Sequence, residues 1–175
     1  MARLILTIVG ADRAGLVATL ADVISAHGGN WEDSRLAELD GTFAGVVVVA
    51  VPEVSVDGFT AALGDLDGLM TVTAHPGVEA PEVSEALHEL TLTVLGNDRP
   101  GIVREVSAAL SRHGVSIDQM TTDTRDAPMS GGSLFEAEVV ARVPPQADLA
   151  ALRADLERLA TEIQVDISVD DEPVS

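Results

Sequence analysis

Short apolar runs of strand length alternate with stretches of helical apolar spacing, and the whole succession occurs twice. Residues 4–9 are apolar and rich in β-branched side chains, which predicts a strand. Leu16, Val17, Leu20, Val23 and Ile24 then recur at helical spacing and predict a helix over 14–26, stopped at His27-Gly28-Gly29. Residues 30–39 predict a second strand of poor alternation, and Asp40-Gly41 a two-residue hairpin turn. A third strand over 43–51 ends at Pro52. A second helix follows over 56–66, with Ser55 as its N-cap, then a fourth strand over 70–75. The second half repeats this order: strand 88–95, helix 100–112, strand 115–125, a longer loop over 126–132, strand 133–143, helix 146–161 and strand 163–169.

A β-α-β-β-α-β order predicts the ferredoxin-like arrangement, an α+β unit with one antiparallel sheet and both helices on one face. The chain therefore divides into a first domain over 1–75, a solvated linker over 76–87, a second domain over 88–170 and an acidic tail over 171–175 that frays. Residues 44–51 are apolar on both faces of their strand, whereas a one-sided sheet alternates. The open face of the first sheet is accordingly expected to be covered, by the other half or by another subunit. Glu136 and Glu138 restore alternation in the corresponding strand of the second half, so that sheet's open face is expected to be wetter.

The repeat is visible in the residues themselves. Leu4, Leu6, Thr7, Gly10, Asp12, Arg13, Gly15, Val17, His27 and Gly28 return without a gap as Leu90, Leu92, Thr93, Gly96, Asp98, Arg99, Gly101, Val103, His113 and Gly114. Such a density of matches indicates duplication. In each copy a strand meets a helix across an Asp-Arg-x-Gly loop. Pro100 suits a first helical turn, where its missing N–H costs nothing. Gly15 and Gly101 remove a side chain where the helix begins. The bare backbone donors of such a helix start favour an anion, a carboxylate included.

Composition narrows the function. The 175 residues carry a net charge of −19, and all ten basic residues are Arg. So acidic a chain is a poor direct binder of nucleic acid, where affinity rests on neutralising phosphates. The acidic surface suits solubility or a basic protein partner. Cys is absent, which excludes disulfides and thiolate chemistry. The apolar run after Met1-Ala-Arg3 is interrupted by Asp12 and Arg13 and returns inside the second copy, so it belongs to the fold rather than to a signal peptide, and no run is long enough to span a bilayer. A cytoplasmic protein without membrane attachment is expected. Domains of roughly 80 residues lie near the low end of independent stability, so the halves are expected to pack together or the chain to form a homo-oligomer. No His, Asp and Glu spacing reads as a metal site and no nucleophile–base pair is evident; neither catalytic residues nor a cofactor are expected.

The duplicated order, with Gly96-Asn-Asp-Arg-Pro-Gly-Ile-Val103 at the first loop, resembles a tandem pair of ACT domains, small regulatory modules that bind amino acids. The resemblance covers nearly the whole chain. Within the family it is nearest to the glycine cleavage repressor type, two ACT domains with no attached enzyme. It implies a non-enzymatic transcriptional regulator acting through protein–protein contacts, with a small amino acid, glycine or serine, as effector. It implies that the loop faces a neighbouring domain, with the ligand between them. Backbone near the motif Gly would hold the carboxylate, and Asp98 with Ser116, or Asp12 with Asn30, the ammonium. The ligand-binding set so implied is Asp98, Arg99, Pro100, Gly101, Ile102 and Ser116 in the second copy, and Asp12, Arg13, Gly15, Leu16 and Asn30 in the first. The first copy departs from the motif, with Ala14 in place of Pro100. Ser116 is shorter than the amide that amino-acid-binding members often carry.

Structural readings stand beside these. Asp can cap the helix while Gly permits the bend. Arg13 and Arg99 can pair with acidic neighbours. His27 and His113 recur at helix C-termini, where a partly charged imidazole suits the dipole. Trp31 can be core or interface packing. Two other functions compete with the regulator: a ligand-free oligomerisation module, and an enzyme like the acylphosphatases, which bind phosphate at the same loop with an Arg. Asp12 and Asp98 beside the arginines would repel that phosphate.

Overall fold

A computed structural model describes residues 1–77, 88–127 and 132–172. The linker expected over 76–87 lies outside these residues except for Pro76 and Gly77, as do 128–131 of the loop expected over 126–132. The chain forms two compact units, Met1–Ala80 and Pro81–Ser175.

In the first unit β1 (Ala2–Ala11), α1 (Leu16–Ala26), β2 (Asn30–Leu39), β3 (Thr42–Val51), α2 (Val56–Gly64) and β4 (Thr71–Pro76) follow in the expected order. The sheet runs β2-β3-β1-β4, every pair antiparallel. The second unit repeats it with β5 (His88–Asn97), α3 (Ile102–Arg112), β6 (Ser116–Ala127), β7 (Gly132–Val143), α4 (Leu149–Ile163) and β8 (Val165–Glu172), ordered β6-β7-β5-β8. No helix among the described residues is long and apolar enough to cross a membrane.

Alternation selects one face of each sheet for the core. Leu4, Leu6 and Ile8 of β1 and Val47, Val49 and Val51 of β3 are buried under Leu16, Leu20 and Ile24 of α1 and Phe59 and Leu63 of α2. Leu90, Leu92 and Val94, with Ala137, Val139 and Ala141, are buried under the equivalent helices with Ile102, Val106, Leu110, Leu152 and Leu156. The outer faces differ. On the first sheet, register places Ala44, Val46 and Val48 beside Val9, Thr7 and Ile5, and Val9 and Val46 are 48% and 43% exposed. On the second, register places Glu136 and Glu138 beside Leu95 and Thr93, and from Phe135 onward β7 alternates between buried and more open positions.

Several boundaries move for physical reasons. The poor alternation of β2 comes from a register shift between Trp31 and Asp33, and β6 carries the equivalent shift between Ile117 and Gln119. One extra residue in a strand turns the following side chains to the other face. Asp40 and Gly41 both have positive φ, 51° and 74°, the geometry of the expected hairpin turn. Ser55 is the N-cap residue of α2 but makes no side-chain cap bond, because a 3-10 turn over Glu53–Ser55 leads into the helix. The last helix begins at Leu149 rather than 146, where Asp148 accepts a hydrogen bond from the Ala151 N–H at 3.0 Å. The acidic stretch expected to fray is in part a strand: backbone pairing of β8 with β5 extends to Asp171 and Glu172.

Candidate functional site

Each strand–helix loop ends at a glycine in the left-handed region. Gly15 has φ 94° and ψ −4°, and Gly101 has φ 100° and ψ −5°. A side chain there strains the backbone. Space is not the constraint: a Cβ on Gly15 meets nothing within 4 Å, and one on Gly101 meets only the tips of Glu105, Arg99 and Arg104 at 3.6–3.9 Å. These glycines are the N-cap residues, and neither helix has a side-chain cap. The structure thereby corrects two expectations. The loop Asp residues do not cap the helices, and Pro100 stands before α3 rather than in its first turn.

The first intrahelical bond of α3 runs from the Glu105 N–H to the Gly101 carbonyl at 3.0 Å. The amides of Ile102, Val103 and Arg104 precede it, in the first turn where helical N–H groups have no intrahelical partner. Beside them lies an open depression of about 510 Å³, lined by Asp98, Arg99, Gly101, Ile102, Val103 and Arg104 from the loop and helix, and by Thr124 and Phe135 from β6 and β7. Ile102, Val103 and Phe135 also border a narrow apolar crevice that reaches Val106 and Met120. Val103 closes the loop motif, whereas Met120, Thr124 and Phe135 lie outside it. The pairing of Thr124 with Phe135 brings that wall to the loop, and Phe43 in the first copy corresponds to Phe135.

Backbone ties fix both loops to a hairpin: the Asp12 N–H donates to the Gly41 carbonyl at 2.8 Å, and the Asp98 N–H to the Ser133 carbonyl at 2.7 Å. The arginines then diverge. Arg99 folds over its own helix, pairing with Glu105 at 2.6 Å and donating to the Pro100 carbonyl at 3.1 Å. Arg13 crosses to the turn before β4 and donates to the carbonyls of Gly68 and Leu69 at 3.3 and 3.1 Å. Arg99 thus pairs with an acid as the structural reading expects, whereas Arg13 binds carbonyls instead. Both guanidinium groups are thus hydrogen-bonded within their own domains, each to a different kind of acceptor.

Asn30 and Ser116 are not brought to these loops within a domain. Asn30 pairs with Ala50 and through it with Arg3, eight rungs along β1 from Ala11. Ser116 pairs with Arg142 and through it with Glu89, eight rungs from Asn97. At about 3.3 Å per residue each separation is roughly 26 Å. The bulges nearby are held by ion pairs, Arg3 with Glu32 at 3.4 Å and Arg142 with Asp118. The latter raises the Arg142 pKa through its hydrogen bond to Asp118.

The C-terminal histidines also differ in their partners. His27 and His113 are the C-cap residues of α1 and α3, each followed by a glycine of positive φ. The His27 ring lies 2.8 Å from the Val23 carbonyl and packs edge-on to Phe59. His113 Nε2 lies 2.8 Å from Asp155, whose other oxygen accepts from Arg158 at 2.7 Å. Hydrogen bonds from Arg158 and then His113 lower the Asp155 pKa to about 2. Trp31 is partly buried against the first core, the packing role expected of it.

This geometry, a twice-used β-α-β-β-α-β unit whose first loop ends in a left-handed glycine, coincides with the family match: residues 2–72 and 90–160 each match the ACT domain. The chain belongs to the ACT-domain family. It is 26% identical over 173 residues to the glycine cleavage system transcriptional repressor of Escherichia coli (strain K12), covering 95% of this chain and 88% of that one. A crystal structure of an unknown protein from Galdieria sulphuraria superposes with a TM-score of 0.87 at 28% identity, covering 98% of both chains. A candidate glycine cleavage system transcriptional repressor superposes at 0.73 and 17% identity, over 99% of this chain and 98% of that one. At 17% identity this second superposition speaks to the fold alone.

Proposed function

We propose that the chain is a non-enzymatic regulator of the glycine cleavage repressor kind, working in the cytoplasm and binding an amino acid at the loop of its second ACT domain. The observation that carries this is Gly101. Its left-handed conformation leaves the first-turn amides of α3 without a side-chain cap beside an open depression. A ligand carboxylate on those amides gains donors and the helix dipole. Asp98, exposed on the rim, takes the ammonium, while Arg99 and Pro100 shape the loop and Ile102 backs it. Because Ser116 lies at the far end of its own sheet, its contribution comes from another copy in a homo-oligomer. In the first domain Asp12, Gly15 and Leu16 keep the loop pattern, but Asn30 lies at the far end of its sheet and Arg13 is spent on the turn before β4; that loop serves as scaffold. Glycine and serine fit the open depression, and Val103, Phe135 and Met120 add apolar contact for a larger side chain. The output is a contact with a regulatory protein. Binding transmits a signal only if it favours one assembly over another.

Thermal unfolding of the purified protein against a panel of amino acids tests this reading. A ligand at about 100 times its dissociation constant adds about 2.7 kcal/mol, a rise of about 5–10 °C for a chain of this size. A shift with one or a few related amino acids supports the sensor. No shift at millimolar concentration rejects it. The ligand-free interaction module is then favoured, for which the apolar outer face of the first sheet already speaks.

A further inference from the structure

Between α3 and α4 lies a second open groove of about 510 Å³, on whose walls Arg104, Arg112 and Arg158 converge. In a chain of net charge −19 with only ten basic residues, this is an unusual concentration. Positions 104, 108 and 112 fall on one stripe of α3. The corresponding stripe of α1 is Ala18, Asp22 and Ala26, so the fold itself does not ask for arginine there. The helix dipole accounts for Arg112 in the last turn and works against Arg104 in the first. Two carboxylates, Glu105 and Glu162, also line the groove. Glu105 is held at 2.6 Å by Arg99 and lies farther from Arg104, at 3.7 Å. Among the described residues no carboxylate lies within ion-pair distance of Arg112. Arg158 donates to Asp155 through one nitrogen and is also attracted by the Glu162 carboxylate; its guanidinium carries five donors in all. Ala108 and Leu159 leave room between the charged tips.

We propose that this groove binds a compact polyphosphate, either free pyrophosphate or the diphosphate of a nucleotide. Guanidinium groups match phosphate oxygens two at a time. Arg104 and Arg112 are about 12 Å apart along the helix axis, a span that two long side chains close around a diphosphate but not around a single carboxylate. Arg158 approaches from the facing helix. The groove is separate from the amino-acid reading except that Arg104 borders both depressions; Arg112 borders the groove alone and is the residue to change.

Calorimetric titration of the full chain with pyrophosphate, ADP and inorganic phosphate, in metal-free buffer of low ionic strength, tests the proposal. Pyrophosphate is expected to bind more tightly than phosphate. Affinity should fall at least tenfold in Arg112→Glu, fall less in Arg112→Lys, and stay unchanged in Arg35→Glu, a control on β2 with unaltered far-ultraviolet spectra throughout. ADP stronger than pyrophosphate names a nucleotide as the source; equal affinity names the phosphates alone. No heat with either at millimolar concentration overturns the proposal, as does an equal loss in Arg35→Glu, which would mean unspecific attraction. Any amino-acid response should persist in Arg112→Glu, so the failure of one site is distinguishable from the failure of the other.

Discussion

The two loops are built on the same backbone and differ in what their arginines do. Arg13 reaches across its domain and pins the turn before β4 through the Gly68 and Leu69 carbonyls. Arg99 turns back on its own helix, to Glu105 and the Pro100 carbonyl. Position 105 corresponds to Thr19 in the first copy, whose hydroxyl donates to the Gly15 carbonyl at 3.0 Å. With no carboxylate at that position, Arg13 has no local anion and finds distant carbonyls. The outer sheet faces diverge in the same sense, apolar in the first domain and acidic in the second. Duplication has kept the frame and let the side chains over it specialise, which is why a site argued for one copy does not carry to the other without its own residues.

The comparison can be broken most forcefully in the cores. Leu6→Ala and Leu92→Ala remove matched, fully buried side chains and should each cost about 2–5 kcal/mol. Denaturant unfolding checks this; a loss confined to one of them would mean that the two cores are not equivalent. Next come the glycines. Gly15→Val and Gly101→Val each place a β-branched residue at a φ near 100° and should each cost about 1–3 kcal/mol. Only Gly101→Val should also abolish the thermal response to the amino acid, and an equal loss in both would move the site to both loops. The arginines follow. Arg13→Ala loses two hydrogen bonds to carbonyls, about 1 kcal/mol in all at an exposed site. Arg99→Ala loses a partly exposed ion pair, less than about 1 kcal/mol. Unfolding in high salt separates them, because only the ion pair is screened.

The smallest effect is one of pH and belongs to the second domain alone. Arg158 and His113 hold the Asp155 carboxyl at about 2, below its ordinary 3.8. A carboxyl lowered on folding contributes stability that is fully present above its unfolded pKa and is lost as pH falls through its folded value. The stability difference between the wild type and Asp155→Asn should therefore be constant above about pH 4 and shrink toward pH 2. A difference that stays constant down to pH 2 would mean that the carboxylate charge is not what His113 and Arg158 recognise. Among the described residues no carboxylate lies within ion-pair distance of His27, whose ring meets the Val23 carbonyl.

Much of the architecture was legible because alternation and helical spacing are properties of neighbouring residues. The order of elements, the Asp40-Gly41 turn and the helix-ending His-Gly pairs all follow from local geometry. Helix starts were less legible. Pro100 and Gln146 look like good first-turn positions, but Gly101 and Asp148 set the beginnings, and the choice depends on where the preceding strand releases the chain. The poor alternation of β2 was a bulge, which only the partner strand reveals. Of the candidate site, the loop residues from Asp98 to Ile102 were readable from the repeat. The wall from Thr124 and Phe135 was not, because it reaches the loop through strand pairing.

By itself the sequence determined that this is one unit used twice, what each unit's layers are, and where the strand–helix loops fall. These depend on contacts between residues a few positions apart, and those recur wherever the pattern recurs. Only the tertiary structure decided that Ser116 and Asn30 stand a sheet's length from the loops they were paired with. It also decided that Arg13 and Arg99 take different partners and that three arginines of a strongly acidic chain share one groove. Those outcomes depend on register and on helix packing, which bring together residues whose separation along the chain carries no signal of their meeting.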